Sequence, residues 1–184
     1  LNTGRVRDHW HTMTRTGLSP RLSAHMTEPC VCVHPRDAAR FGLSDGGFAR
    51  IANAHGAVVL KVMHDPGMQP GSLFAPIHWS AVQPACDPYS GQPEMKATPS
   101  SIAPVTYAAQ GFVLSRDDFA LPAGSWWTRV AVEGGEGRLF ATDATVDDLM
   151  AHIRTVFGAD GLTEMIDRQG GVYRCAVTRG GVLV

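Results

Sequence analysis

Between Cys30 and Ile77 the apolar residues come in short runs, each broken within a few positions by Gly, Pro, Asp or Asn. That punctuation constrains the fold more than any other feature of the chain. Cys30 to His34 reads as a strand. Pro35 to Phe41 reads as a short helix, with Pro in its first turn and Gly42 beyond its end. Ser44 to Gly47 is a turn, Phe48 to Asn53 a strand, His55-Gly56 a tight turn, and Ala57 to Met63 a further strand. After a Pro/Gly loop at 66–71, Ser72 to Ile77 completes the set. Closely spaced strands joined by such turns suggest a small barrel.

Length and charge set the outer bounds. The 184 residues, 44% of them apolar, suffice for one ordinary domain or one domain with an appendage. A formal net charge of -1 argues against a general nucleic-acid binder. Positive charge is local instead. Arg5, Arg7, Arg15 and Arg21 share the first quarter with four histidines, a pattern suited to a small anionic ligand. No apolar run of about eighteen residues is present, so no membrane helix is expected. No signal peptide is visible, and both ends read as cut from a longer chain. Cys30, Cys32, Cys86 and Cys175 form no CxxC pair, and they are expected to be buried, reduced thiols.

Residues 1–28 are polar, aromatic and basic with little periodicity, which reads as a ligand-facing loop with a short helix. Residues 84–104 are rich in Pro, Ser, Gly and Thr. Beyond them a second unit is expected. Trp126 to Glu133 and Arg138 to Thr142 read as paired strands. Thr145 and Asp148 have capping-box spacing, and a helix should run to Phe157 with Val146, Leu149, Met150, Ile153 and Phe157 on one stripe. Thr163 to Arg168 and Val172 to Thr178 read as a hairpin across Gln169-Gly170-Gly171.

The densest chemistry lies in Thr3-Gly4-Arg5-Val6-Arg7-Asp8-His9-Trp10-His11-Thr12-Met13-Thr14-Arg15-Thr16-Gly17. Gly permits close backbone approach. Arg offers a planar fork for phosphate or a fused heterocycle. Thr hydroxyls add short donors, and His and Trp supply flat faces and ring donors. A basic surface arm is the plain alternative. A second is a metal site in which His9 and His11 are joined by His25, His34 or His78, although zinc sites more often show Cys pairs or helical His spacing.

The run from Leu1 to Gly17 resembles the opening of the molybdopterin-dinucleotide-binding domain of bacterial nitrate reductases, within the dimethyl sulfoxide reductase superfamily, and is most similar to the cytoplasmic assimilatory branch. Ser72 to Trp79 and Asp87 to Lys96 resemble later segments of the same domain. This resemblance implies a mainly β fold: a six-stranded double-psi β-barrel with short helices for residues 1–115, followed by a small accessory α+β unit over 116–184. It implies that Thr3, Gly4, Arg5, Val6, Asp8, His9, Trp10, His11 and Thr12 wrap a pterin–guanine dinucleotide, with His78, Trp79 and Lys96 beside it. Gln83 stands where the family commonly has Asn, keeping the amide on a longer arm.

In that family two molybdopterin guanine dinucleotides hold one molybdenum, and the iron–sulfur cluster and the metal's protein ligand lie elsewhere in the parent chain. The implied activity is nitrate reduction to nitrite by a molybdenum oxidoreductase of nitrate assimilation. This portion would carry no catalytic residue and no metal ligand, and would be inactive alone. The implied partners are the remaining parent domains and an electron donor such as a ferredoxin, flavodoxin or NADH-linked subunit; neither nucleic acid nor membrane is expected, and the location is cytoplasmic. Two rivals remain. One is the same domain in a formate dehydrogenase or another molybdenum or tungsten oxidoreductase. The other is a stand-alone protein-interaction barrel, which has no need of the Arg/His/Trp inventory.

Overall fold

The computed structural model describes residues 1–79 and 86–184. The chain is mainly β and divides into two compact units, Leu1–Thr106 and Tyr107–Val184.

The first unit holds strands β1 (Asn2–Gly4), β2 (Cys30–Val33), β3 (Phe48–Asn53), β4 (Gly56–His64), β5 (Leu73–Pro76) and β6 (Ser101–Val105), with short helices α1 (Pro20–Ser23) and α2 (Pro35–Phe41). They form one sheet in the order β1-β5-β2-β4-β3-β6. The pairs β1/β5 and β2/β4 are parallel, whereas β2/β5, β3/β4 and β3/β6 are antiparallel. No ladder joins β6 to β1 among the described residues, so the sheet is not a closed barrel by strand pairing. The segment just before β6 does run beside β1, however. Thr3 N–H donates to the Met95 carbonyl at 2.7 Å and Thr98 N–H to the Leu1 carbonyl at 3.1 Å.

Alternation in β2 divides its side chains between two faces. Val31 and Val33 join Ala49, Ile51, Leu60, Val62, Leu73 and Ala75 in the core. Cys30 and Cys32 take the other face and are also buried. A hydrogen bond with Cys30, then burial, pushes the Cys32 thiol far above its usual range, which keeps it protonated. The remaining two cysteines do not follow the expectation of burial: Cys86 and Cys175 are exposed. Helix α2 starts at Pro35, where the His34 imidazole accepts from Arg36 N–H, and stops at Gly42, whose φ of 67° suits glycine.

Two strands of this unit have no counterpart in the sequence reading. β1 is Asn-Thr-Gly, which carries no strand propensity and reads as loop. It is extended because Asn2, Thr3 and Gly4 register against Phe74, Ala75 and Pro76. β6 contains Pro104, which a central strand would not tolerate. It is tolerated because β6 is an edge strand, paired among the described residues only to β3.

The second unit carries β7 (Ala109–Ser115), β8 (Trp126–Val130) and β9 (Glu136–Thr142) as an antiparallel sheet of order β7-β9-β8, then α3 (Val146–Phe157) and the sheet β10 (Leu162–Asp167), β11 (Val172–Arg179), β12 (Val182–Leu183). β7 pairs with β9 along its whole length, so residues 109–115 sit with this unit. A Cβ at Gly111 would lie 2.6 Å from the Phe140 ring, so any other residue there would force that ring to move. The capping box of α3 forms in both directions: Thr145 Oγ1 accepts from Asp148 N–H, and the Asp148 carboxylate accepts from Thr145 N–H.

Candidate functional site

The arm from Arg5 to Leu18 leaves β1 and has no regular structure beyond consecutive turns. Its backbone is strained. Asp8, His11 and Met13 have φ of 70°, 46° and 64°, and Ala97, beside β1, has 59°. Asp and His tolerate this region better than Met or Ala. Such residues cost on the order of 1–3 kcal/mol each and persist only where surrounding contacts hold them.

Two buried histidines do the holding. His78 follows β5 and is 1% exposed. Its Nε2 accepts from Val6 N–H at 3.0 Å, and its Nδ1 lies 2.5 Å from the His11 carbonyl. A backbone amide can only donate and a carbonyl only accept, so the ring is neutral with its proton on Nδ1. Burial lowers its titration below the ordinary imidazole range; the hydrogen bond to the His11 carbonyl opposes this, and the charges of His9, Arg5 and His11 add to the lowering. His9 has the opposite tautomer when neutral. Its Nε2 donates to the Met26 carbonyl at 3.0 Å, and its Nδ1 accepts from the buried Thr16 hydroxyl at 2.7 Å. Its ring also packs against His25, His78 and Trp79, with centroids 4.7, 5.1 and 5.6 Å away. Since both nitrogens of His9 and of His78 are bonded to protein groups, neither ring offers a lone pair to a metal.

Above this anchored base the arm presents cations. The guanidinium carbons of Arg5 and Arg15 lie 4.6 and 4.8 Å from the centre of the Trp10 ring, and the His11 ring stands on its edge at 4.7 Å. Among the described residues neither guanidinium has a carboxylate within salt-bridge reach; the neighbouring Asp8 is engaged by Arg7 at 3.1 Å and faces His25 at 3.8 Å. Trp10, His11 and Thr12 are exposed.

Lys96 reaches the same region through backbone pairing. Thr3, itself buried, donates both its amide and its hydroxyl to Met95, and the Asn2 side chain accepts from Ala97 N–H at 2.9 Å. Lys96 therefore lies beside the strand that leads into Arg5. The Thr3 hydroxyl is spent on this contact. The space beside Gly4 is not open either: a Cβ there would stand 3.1 Å from the Phe74 ring. Trp79 contributes a different feature. Its indole nitrogen is buried and has no acceptor among the described residues. Gln83 lies outside the described residues.

So Thr3, Gly4, Val6, His9 and His78 build and hold the arm, while Arg5, Trp10, His11, Thr12 and Lys96 face outward. Arg15 and Thr16 share the work without having been expected as contacts. Two guanidinium groups flanking an indole with no carboxylate partner among the described residues, and a buried indole N–H with no acceptor among them, suit a ligand with phosphates and a flat polar heterocycle. No group of three or more His, Cys, Asp or Glu among the described residues is placed to hold a metal ion.

Residues 1–99 match the family model described as "Molydopterin dinucleotide binding domain". The chain is 40% identical to a nitrate reductase of Klebsiella oxytoca, over 98% of this chain and 21% of that protein. It is 30% identical to a nitrate reductase of Shewanella frigidimarina, over 73% of this chain and 18% of that protein. It is also 30% identical to the F420-dependent formate dehydrogenase 1 subunit alpha of Methanococcus maripaludis, over 55% of this chain and 16% of that protein. The chain thus spans about a fifth or less of the length of these relatives.

Proposed function

The chain belongs to the molydopterin dinucleotide binding domain family, and from that premise we propose that it is the cofactor-holding portion of a molybdenum oxidoreductase that reduces nitrate to nitrite. The observation that carries this reading is the Arg5–Trp10–Arg15 stack, held on a strained arm with no carboxylate in salt-bridge reach among the described residues. A backbone kept in costly conformations and two guanidinium groups without a carboxylate partner among the described residues fit a binding site for an anionic dinucleotide.

In this reading Arg5, Arg15 and Lys96 bind the phosphates or pterin edge, Trp10 and His11 supply flat faces, and Thr12 adds a donor. The Trp79 indole N–H donates to the ligand, in keeping with its having no acceptor among the described residues. Thr3, Gly4, Val6, Asp8 and His9 shape the arm. The molybdenum–pterin group, when bound, supplies the redox chemistry of oxygen-atom removal. This chain's residues bind, orient and exclude water; none is placed as acid, base or nucleophile. The metal's protein ligand and an iron–sulfur cluster belong to the rest of the parent.

The first unit is read as the double-psi barrel of the family. Two parallel pairs within a mostly antiparallel sheet support this, as does the run of 95–98 beside β1, which brings the two edges of the sheet together through one segment. The second unit is read as an accessory region. The electron donor is proposed to be a ferredoxin, flavodoxin or NADH-linked subunit, in a cytoplasmic assimilatory enzyme. Among the described residues no helix is long and apolar enough to cross a membrane.

The test is nitrate reduction by the full-length parent with a reduced dye as donor. Nitrite formation supports the reading. Formate oxidation without nitrate reduction would favour the second reading, a formate dehydrogenase, which rests on the formate dehydrogenase subunit among the relatives.

A further inference from the structure

His78 bonds to two backbone groups five residues apart on the arm, Val6 N–H and His11 C=O, and so spans the turn that carries Trp10. Two features make this more than ordinary packing. Its own position is fixed from the sheet, because Ile77 N–H donates to the Gly4 carbonyl at 2.9 Å and docks the end of β5 on the end of β1. And the residues it spans include Asp8 and His11, both at positive φ, which need an external tie to stay there.

The two bonds also demand one protonation state. A second ring proton would set N–H against N–H at Val6, turning an acceptor into a repelling donor. The charged and titratable groups acting on the ring are His9, Arg5 and His11, whose charges oppose a further positive charge beside it, as burial does; only the bond to the His11 carbonyl favours the proton. No carboxylate is among the groups that act on it.

We propose that neutral His78 is a positioning residue, a clamp that sets the arm so that Arg5 and Trp10 face the ligand together, and that its protonation releases the arm. The clamp stands on the hydrogen bonds alone; that the arm it holds serves a dinucleotide cofactor rests on the function proposed above.

The experiment follows the Val6 amide directly. Hydrogen exchange and ring nitrogen shifts are measured by NMR on the 184-residue chain between pH 8 and pH 5, for wild type, His78→Gln and His78→Phe. A Gln amide offers one acceptor and one donor at a spacing close to that of the two ring nitrogens, and it does not titrate. Wild type should show an unprotonated Nε2 and a protected Val6 amide at neutral pH. That protection should fall about tenfold, relative to the intrinsic exchange rate, as the ring titrates below about 6.5. His78→Gln should keep the protection and lose the pH step. His78→Phe should lose the protection at every pH; should it fail to fold, the wild-type and Gln profiles still decide. An unprotected Val6 amide in wild type at pH 7.5, or a pH step that persists in His78→Gln, would overturn the clamp. A Val6 amide protected in wild type and unprotected in His78→Phe, together with full molybdenum content in the His78→Phe full-length parent, would refute the cofactor-bearing role of the arm and leave the clamp standing.

Discussion

The Arg5 guanidinium carbon stands 4.6 Å from the centre of the Trp10 indole. Arg5 is the first residue beyond β1 and Trp10 lies five positions on, after a turn through Asp8 at φ 70°. The contact therefore closes a loop and aims an exposed cation. A cation over an exposed ring contributes about 0.5–1 kcal/mol, which is small beside the strain the arm carries. Stability alone does not explain the arrangement; the ligand binding proposed for Arg5 and Trp10 would.

Arg5→Ala should therefore separate two quantities. In the full-length parent, losing a charge-assisted contact costs roughly 1.5–3 kcal/mol, or about ten- to a hundredfold in cofactor affinity. Folding stability should fall by no more than about 1 kcal/mol. Molybdenum content and thermal unfolding, the latter after cofactor removal, are measured side by side. Full occupancy with a large stability loss would make Arg5 a structural anchor.

Thr16→Val should do the reverse. Thr16 is 1% exposed, and its hydroxyl donates to His9 Nδ1 at 2.7 Å. Valine keeps the shape and leaves a buried acceptor unpaired, costing about 1–3 kcal/mol. Denaturant unfolding of the 184-residue chain should show the loss. An unchanged midpoint would mean that water replaces the hydroxyl and that His9 is not held from that side.

Acid should weaken the first unit through His78. Its folded titration is lowered below the ordinary imidazole value of about 6.5 by burial first. As pH falls past that value the unfolded chain takes up a proton that the folded chain refuses. The contribution is thus fully present above about pH 6.5 and is lost progressively as pH drops toward the folded value. Unfolding free energy measured from pH 8 to pH 5 should decline for wild type, and His78→Gln should remove part of that slope. Equal slopes in the two proteins would show that His78 does not titrate differently on folding.

The legible parts of this chain are those in which local chemistry and tertiary structure agree. Strands β2 to β5 follow from short apolar runs between Gly and Pro, and α3 from the Thr145/Asp148 box ahead of an apolar stripe. β1 and β6 were not legible, because Asn-Thr-Gly and a Pro-containing segment become strands only through the neighbours they meet. β7 was hidden differently. Its apolar residues fall on both faces, with Phe112 and Leu114 exposed and Gly111 lying under Phe140. In the site, the residue types of the arm announced a ligand, but the division of labour did not show. His9 and Thr16 are seven apart in an irregular segment, and no spacing rule pairs them. Nor does sequence reveal that His78 spends both ring nitrogens on backbone, or that Phe74 fills the space beside Gly4.

Trp79→Phe offers a test in which the bare chain and the parent should respond with opposite signs. The Trp79 indole nitrogen is buried with no acceptor among the described residues. An unpaired buried donor costs about 1–3 kcal/mol, and phenylalanine removes the donor while keeping an aromatic body against His9, whose ring lies 5.6 Å away. Phe is smaller than Trp, so some packing is lost, and this offsets part of the gain. The 184-residue chain should then unfold at the same or a slightly higher denaturant concentration, instead of losing the several kcal/mol expected for truncating a well-satisfied buried aromatic. In the full-length parent the same change should lower cofactor retention during gel filtration, because the indole N–H there has an acceptor on the ligand. Large destabilisation of the bare chain would show that the indole nitrogen already has a partner. A stable variant whose parent retains all its molybdenum would remove Trp79 from the binding site and leave the Arg5–Trp10–Arg15 face, with Lys96, to hold the cofactor.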